Sequence, residues 1–424
     1  MRISLKSGVS LSLVSTKQFK TTRIAVDLIA PLKSEALTKR LLLASILENS
    51  SQKYPNQKIL SEELARMYGA GFGVSTERKG NIHALSFNFE CVNEHFLNTT
   101  DGLLEQGINF LKEIIFEPLL DGKRFDPKTF ERQKEVLADY INSVRDDRQL
   151  FASLELNNLF FEDTVQALPS FGDIESLDKI TNEELYEYYI ECLKSNQVEI
   201  IISGDITKEQ AKELAANLNF TARQPEKLSV FYAHPSQSQV VKERIHHLEI
   251  SQAKLNLGYS LPVYFQENKY YSALVFNDLF GGQPLSKLFV NVRERSSLAY
   301  YASSSYDSFR GFLSVKTGIE AENKKQVLQI IEQQLSELRA GDITKKEIET
   351  AKRSLINSYL SQLDHQGVLL SRALFNGLLN KDLQEKEWIE KIKNVTLTDV
   401  AEIAKMVHLE AIIFLDGEVK NENN

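Results

Sequence analysis

Seven histidines, two cysteines and two glycine clusters are the places where this sequence has the residue types for catalysis or ligand binding. A helical two-histidine metal site needs imidazoles four residues apart on one face. Among His83, His95, His234, His246, His247, His365 and His408, no two have that spacing. His246 and His247 lie in a stretch of strand character, where adjacent rings point to opposite faces, so a surface role is expected for them. Cys91 and Cys192 have no CxxC neighbour, which leaves neither a thiolate zinc knuckle nor a disulfide framework. Each reads as a small buried apolar residue. Gly69, Gly71 and Gly73 in YGAGFG, and Gly281-Gly282 in LFGGQP, lack the Gly-Lys-Ser/Thr continuation and βαβ setting of a phosphate cradle and read as turns. No Gly-x-Ser-x-Gly elbow occurs. Residue chemistry alone shows no catalytic centre.

The elements around these residues form a repeat. With 424 residues, 42% of them hydrophobic, the chain is long enough for two or three domains with large cores. Alternating apolar stretches predict strands at Ile3 to Val14, Thr22 to Ala30, Phe72 to Thr76, His83 to Phe89 and Val198 to Ser203. Helical patterns cover Leu37 to Asn49, which is apolar on more than one face, then Leu60 to Tyr68, Phe96 to Phe116, Thr129 to Val144 and Asn182 to Leu193. The second half repeats this order. Pro31 and Pro262 end matching strands at an offset of 231, Phe72/Tyr300 and Ser86/Ser314 pair at 228, and Glu131/Glu349 and Leu137/Leu355 pair at 218. Offsets that fall steadily are the signature of a duplicated unit with small deletions. The expected fold is α+β: two homologous units, each a mainly antiparallel sheet with helices packed on one face. Expected boundaries are 1–220 for the first unit, 221–239 for a polar linker and 240–424 for the second unit.

Charge narrows the partners. Against 50 Lys+Arg stand 58 Asp+Glu, a net −8 with no long basic tract, so nucleic acid is not an expected partner. No apolar stretch approaches the ~20 residues that span a bilayer, and MRISLKSGVSLSLVS alternates where a signal peptide would present an apolar core. No membrane association and a cytoplasmic location are the expectations.

The motif order in the duplicated unit resembles the pitrilysin or insulinase-type (inverzincin) zinc peptidases, the family that includes the mitochondrial processing peptidase subunits. Active members carry H-x-x-E-H on the first long helix: two histidines ligate zinc and the glutamate activates a water. Here the matching residues are Ser45, Glu48 and Asn49, with serine and asparagine at the histidine positions. The third family ligand is a glutamate on a later helix. Aligned on Glu131-Arg132 and Val136-Leu137, it falls on Tyr140, with Gln133 at the supporting acidic position. The resemblance therefore implies a degenerate metal motif and no zinc in this chain. Glu48 is then left as a helix residue kept for a hydrogen bond or exposed to solvent.

The second unit keeps more of the family pattern. The run Phe280 to Phe289, leading into Val292-Arg293-Glu294-Arg295-Ser296-Ser297-Leu298-Ala299-Tyr300, is close to the family stretch whose arginine and tyrosine, seven apart, bind the substrate backbone. The resemblance assigns that role to Arg293 and Tyr300, and guanidinium and phenol donors suit a developing oxyanion. Gly71 to Thr76 matches the edge strand that adds to an extended peptide. Some members work as pairs in which one subunit holds zinc and the other supplies the arginine and tyrosine. The reading is a catalytically incomplete subunit, inactive alone, that pairs with a zinc-bearing homologue as a heterodimer to cleave extended peptides, the zinc lying in the partner chain. The alternative is a structural or peptide-binding scaffold with no role in hydrolysis.

Overall fold

The structure, a computed structural model, describes residues 2–97, 101–234, 240–381 and 383–417. Two compact units appear, and neither is continuous in sequence. The first comprises Met1–Asn142, Ser170–Val230 and Gln362–Asp382; the second comprises Ser143–Pro169, Phe231–Ser361 and Leu383–Asn424. Of the expected linker, residues 235–239 lie outside the described residues.

Alternation in the first half forms strands β1 (Arg2–Lys6), β2 (Val9–Ser15), β3 (Thr21–Pro31), β4 (Gly71–Lys79), β5 (Ile82–Val92) and β6 (Gln197–Gly204). They make one sheet of order β1-β2-β6-β3-β5-β4, antiparallel throughout except for the β2–β6 pair. Ile24, Val26 and Leu28 of β3, Leu85, Phe87 and Phe89 of β5, and Val198, Ile200 and Ile202 of β6 point to one face. Helices α1 (Ser34–Asn49) and α2 (Leu103–Phe116) cover that face, and their apolar residues join the same core. Helix α1 buries residues around most of its circumference, as its many-sided apolar pattern predicts. Helix α2 begins at Leu103, after Gly102 in a left-handed conformation (φ 69°), later than the expected Phe96. Helix α3 (Pro127–Ser143) follows, with Asp126 capping Thr129 at 2.9 Å.

The second half supplies β7 (Lys242–Leu248), β8 (Ala253–Ser260), β9 (Ala299–Asp307), β10 (Phe312–Ile319) and β11 (His408–Gly417). Their order is β7-β11-β8-β10-β9, with β7–β11 the parallel pair. Position for position this repeats β2-β6-β3-β5-β4, so the duplication inferred from residue offsets is also a duplication of topology. The two units are α+β with mixed, mainly antiparallel sheets.

The expectation of helices on one face is met, and each sheet carries one further helix on its other face. In the first unit it is α5 (Gln366–Leu378), whose Gly367, Leu370, Ser371 and Leu374 stand over Ala25, Asp27, Ser86 and Asn88 around a cavity of about 140 Å³. Gln366 fastens it, donating to the Ser203 carbonyl at 2.8 Å and accepting from the Thr21 hydroxyl at 3.0 Å. In the second unit it is α4 (Arg148–Phe160), whose Ala152, Leu156 and Phe160 pack on Phe312, Ala411, Ile413 and Leu415. Each unit thus takes this helix from the other half of the sequence. His246 contacts Glu155 of α4 at 2.9 Å while His247 contacts Asp416 at 3.6 Å, the opposite-face arrangement expected of neighbours in a strand. Among the described residues no helix is long and apolar enough to cross a membrane.

Candidate functional site

Helix α1 brings Ser45, Glu48 and Asn49 to a half-buried stretch of its surface. The Asn49 amide donates to the Ser45 carbonyl one turn back, at 2.7 Å. The donor is therefore used inside the helix. Tyr140, on α3, is 49% exposed and meets the Phe171 ring edge-on at 5.4 Å. Gln133 of the same helix is buried. A hydroxyl, an amide and a phenol are poor zinc donors beside imidazole and carboxylate, and the Asn49 amide is already bonded within its helix. The residues present do not fit the metal. Among the described residues, no group of three or more His, Cys, Asp or Glu could hold a metal ion.

Glu48 has a different partner. Its carboxylate accepts a hydrogen bond from the backbone N–H of Val74 in β4, while burial raises its pKa above the ordinary glutamate value. β4 is an edge strand, paired only with β5 among the described strands.

In the second unit the Gly281-Gly282 segment, expected as a turn, is the end of a π-helical turn at Asp278–Gly282. A second π-helical turn spans Phe289–Arg295. Such turns occur often where side chains must be re-aimed at a functional surface. Lys287 anchors this run to Glu337 at 3.0 Å, and Asn291 donates to Gln334 at 2.7 Å, both on the helix Lys324–Ala340. From that fixed base Arg293 extends exposed, its guanidinium 4.7 Å from the Phe289 ring, with no ion pair among the described residues. Tyr300, 62% exposed, stands at the start of edge strand β9. Its hydroxyl donates to Glu320 at 3.0 Å, which raises the phenol's pKa.

Three buried polar groups escaped the sequence reading. Arg40 of α1 is 1% exposed and donates to the Leu28 and His83 carbonyls and to Asn196. Asp27 of β3 is pushed up to about 7, first by burial and then by Glu77 and Glu199, against a hydrogen bond from Ser86. Asp278, in the first π-helical turn, is pushed to about 7 by burial against a hydrogen bond from Ser354. Charged residue types inside apolar patterns were the available signal.

A twofold-repeated α+β unit, with an H-x-x-E-H-like helix in the first copy and an Arg/Tyr pair in the second, is the build of a metallopeptidase homologue. Comparison with known proteins agrees. The family described as Peptidase M16 inactive domain matches residues 179–355. The probable inactive metalloprotease YmfF of Bacillus subtilis (strain 168) is 31% identical over 414 residues, 98% of this chain and 97% of that protein. The uncharacterized zinc protease YmxG of the same strain is 24% identical over 318 residues, 73% of this chain and 75% of the relative. A crystal structure of a conserved protein from Enterococcus faecalis V583 matches with a TM-score of 0.94 at 41% identity, covering 100% of this chain and 99% of that one. This chain belongs to the M16 peptidase family, the pitrilysin and insulinase-type peptidases it resembles in sequence, as a homologue of inactive members.

Proposed function

We propose that this chain is the zinc-free subunit of a two-chain peptidase. It pairs with a zinc-bearing homologue, and Arg293 and Tyr300 bind an extended peptide and steady the carbonyl attacked at the partner's metal. The observation that carries this reading is the contrast between the two units. Arg293 is presented exposed from an anchored turn, with no ion pair among the described residues, whereas the Asn49 amide is bonded to the Ser45 carbonyl within its helix. The occurrence in one Bacillus subtilis strain of both a probable inactive and a zinc-protease relative fits a division of labour between chains. The test is to co-purify the chain with a zinc-bearing homologue from its own genome and assay peptide cleavage. Loss of a donor to a developing oxyanion lowers kcat/KM by about a hundredfold or more, so Arg293→Ala and Tyr300→Phe should each show a fall on that scale. An unchanged kcat/KM for both variants overturns the role.

A second reading, a peptide-binding or structural scaffold, draws on the Tyr300 hydroxyl already being committed to Glu320. It predicts stable association with a partner and no effect of either substitution on any hydrolysis.

A further inference from the structure

In an antiparallel ladder, successive residues alternate between aiming their N–H and C=O at the neighbouring strand and aiming them away. The Leu32 N–H donates to the Asn81 carbonyl and the Asn93 N–H to the Lys20 carbonyl, so odd-numbered residues of β5 face β3. Its even-numbered residues bond Gly71, Gly73 and Ser75 of β4, and the Val74 N–H is turned away from β5, toward Glu48. Its like-facing neighbours are Phe72 and Thr76. Those three residues are the main-chain groups an added strand would use. Glu48 occupies the central one. The carboxylate also lies along the strand: a Cβ built on Gly73 would come within 3.4 Å of Glu48 Oε1. With the Asn49 amide committed to the Ser45 carbonyl, the carboxylate has no competing donor from that neighbour.

We propose that Glu48 is a built-in gate on edge strand β4: its carboxylate caps the Val74 N–H in the free protein, and a peptide that adds to β4 must displace it with a main-chain carbonyl. This rests on the peptide-binding reading above and gives Glu48 a task independent of zinc. The cap also protects an exposed edge from unwanted strand pairing, the hazard that edge strands carry. A peptide able to bind is one that stays extended past Phe72, Val74 and Thr76 and offers a free carbonyl opposite Val74. Peptides with an obligate turn there are rejected.

Two measurements on the full chain test the gate. Amide hydrogen exchange of the free protein should show Val74 exchanging at least about tenfold faster in Glu48→Ala than in wild type, with Phe72 and Thr76 unchanged, because a hydrogen bond to a charged group is removed. Binding of a fluorescein-labelled peptide of alternating threonine and valine, about ten residues long to match the strand, should tighten about tenfold in Glu48→Ala. Glu48→Gln, which keeps an acceptor, should fall between. Thr76→Pro should abolish binding while preserving the fold, since proline is tolerated where an edge N–H faces outward. Unchanged Val74 exchange in Glu48→Ala overturns the cap whatever the peptide does. Equal peptide affinity in wild type and Glu48→Ala, with binding lost in Thr76→Pro, overturns the gate and leaves peptide binding standing. No binding to any variant overturns peptide addition at β4, and the gate with it.

Discussion

Asn49 and Ser45, the two positions at which the family's active members carry histidines, are joined by a 2.7 Å hydrogen bond from the Asn49 amide to the Ser45 carbonyl. The bond ties both residues into the helix backbone and leaves no imidazole to meet a cation. Wild-type protein exposed to zinc and then desalted should hold far below one equivalent of metal by elemental analysis. Replacing both residues, Ser45→His with Asn49→His, places two imidazoles four apart on α1 and should strengthen zinc binding by at least about tenfold in a competition titration. Stoichiometric zinc in the wild type would contradict the reading of these positions.

Arg40 is a buried guanidinium that meets no carboxylate among the described residues. It donates to the Leu28 carbonyl at 2.9 Å, the His83 carbonyl at 2.6 Å, Tyr188 Oη at 3.0 Å and Asn196 Oδ1 at 2.5 Å, linking α1 to β3, β5 and the helix Asn182–Ser195. Buried acceptors stripped of their donor each cost about 1–3 kcal/mol. Arg40→Met, which fills most of the volume but donates nothing, should lower unfolding free energy by about 3–5 kcal/mol, read from urea denaturation followed by circular dichroism. A change below about 1 kcal/mol would mean that water replaces the guanidinium without penalty.

Asp27 makes stability depend on pH. Its pKa rises from the ordinary value of 3.8 to about 7, chiefly by burial, then through Glu77 and Glu199, and despite the bond from Ser86. Arg23, which also faces the cavity, is paired with Glu90 at 2.7 Å, and the lining residues of α5 carry no charge. The folded state therefore holds a proton that the unfolded state has released between about pH 4 and 7. Stability contributed by the neutral carboxyl is full below the unfolded pKa and is lost as pH rises toward the folded one. Asp27→Asn should be more stable than wild type at pH 8, with the advantage shrinking toward pH 4. Parallel urea midpoints for the two proteins across that range would count against a protonated Asp27.

How far the sequence reaches is clear from particular elements. Periodicity locates β3, α1 and β8 because each buries a regular stripe, and the offset of matching residues reveals the duplication because both copies keep their turns. The same pattern is silent about α4 and α5. An amphipathic helix announces that one face will be buried, not which sheet will bury it, and these two cross to the unit of the opposite half. Glu48 was legible as a helix residue available for a hydrogen bond, but its partner is a backbone N–H in β4, which no side-chain pattern encodes. The Gly281-Gly282 pair stands out in the sequence and reads as a turn, whereas in the structure it ends a π-helical turn. The close approach that Gly281 permits is to a strand more than twenty residues later.

That approach makes a sharp comparison between glycines. A Cβ at Gly281 would lie 2.5 Å from the backbone N of Ser304 and 2.7 Å from its Oγ, so β9 itself must move to admit it. Gly69 is the reverse case: its φ of 74° suits glycine, yet nothing stands within 4 Å of the Cβ position. Gly69→Ala meets only the left-handed penalty, about 1 kcal/mol. Gly281→Ala must displace main chain in a packed core, and overpacking of that kind costs about 1–3 kcal/mol or more when a strand has to shift. Because β9 carries Tyr300 at its first turn of alternation, the Gly281 variant should also disturb the Tyr300 environment, seen as a shifted aromatic resonance, while Gly69→Ala leaves it unchanged. Equal destabilisation by the two alanines would show that Ser304 yields freely and that the diglycine serves the π-helical turn alone.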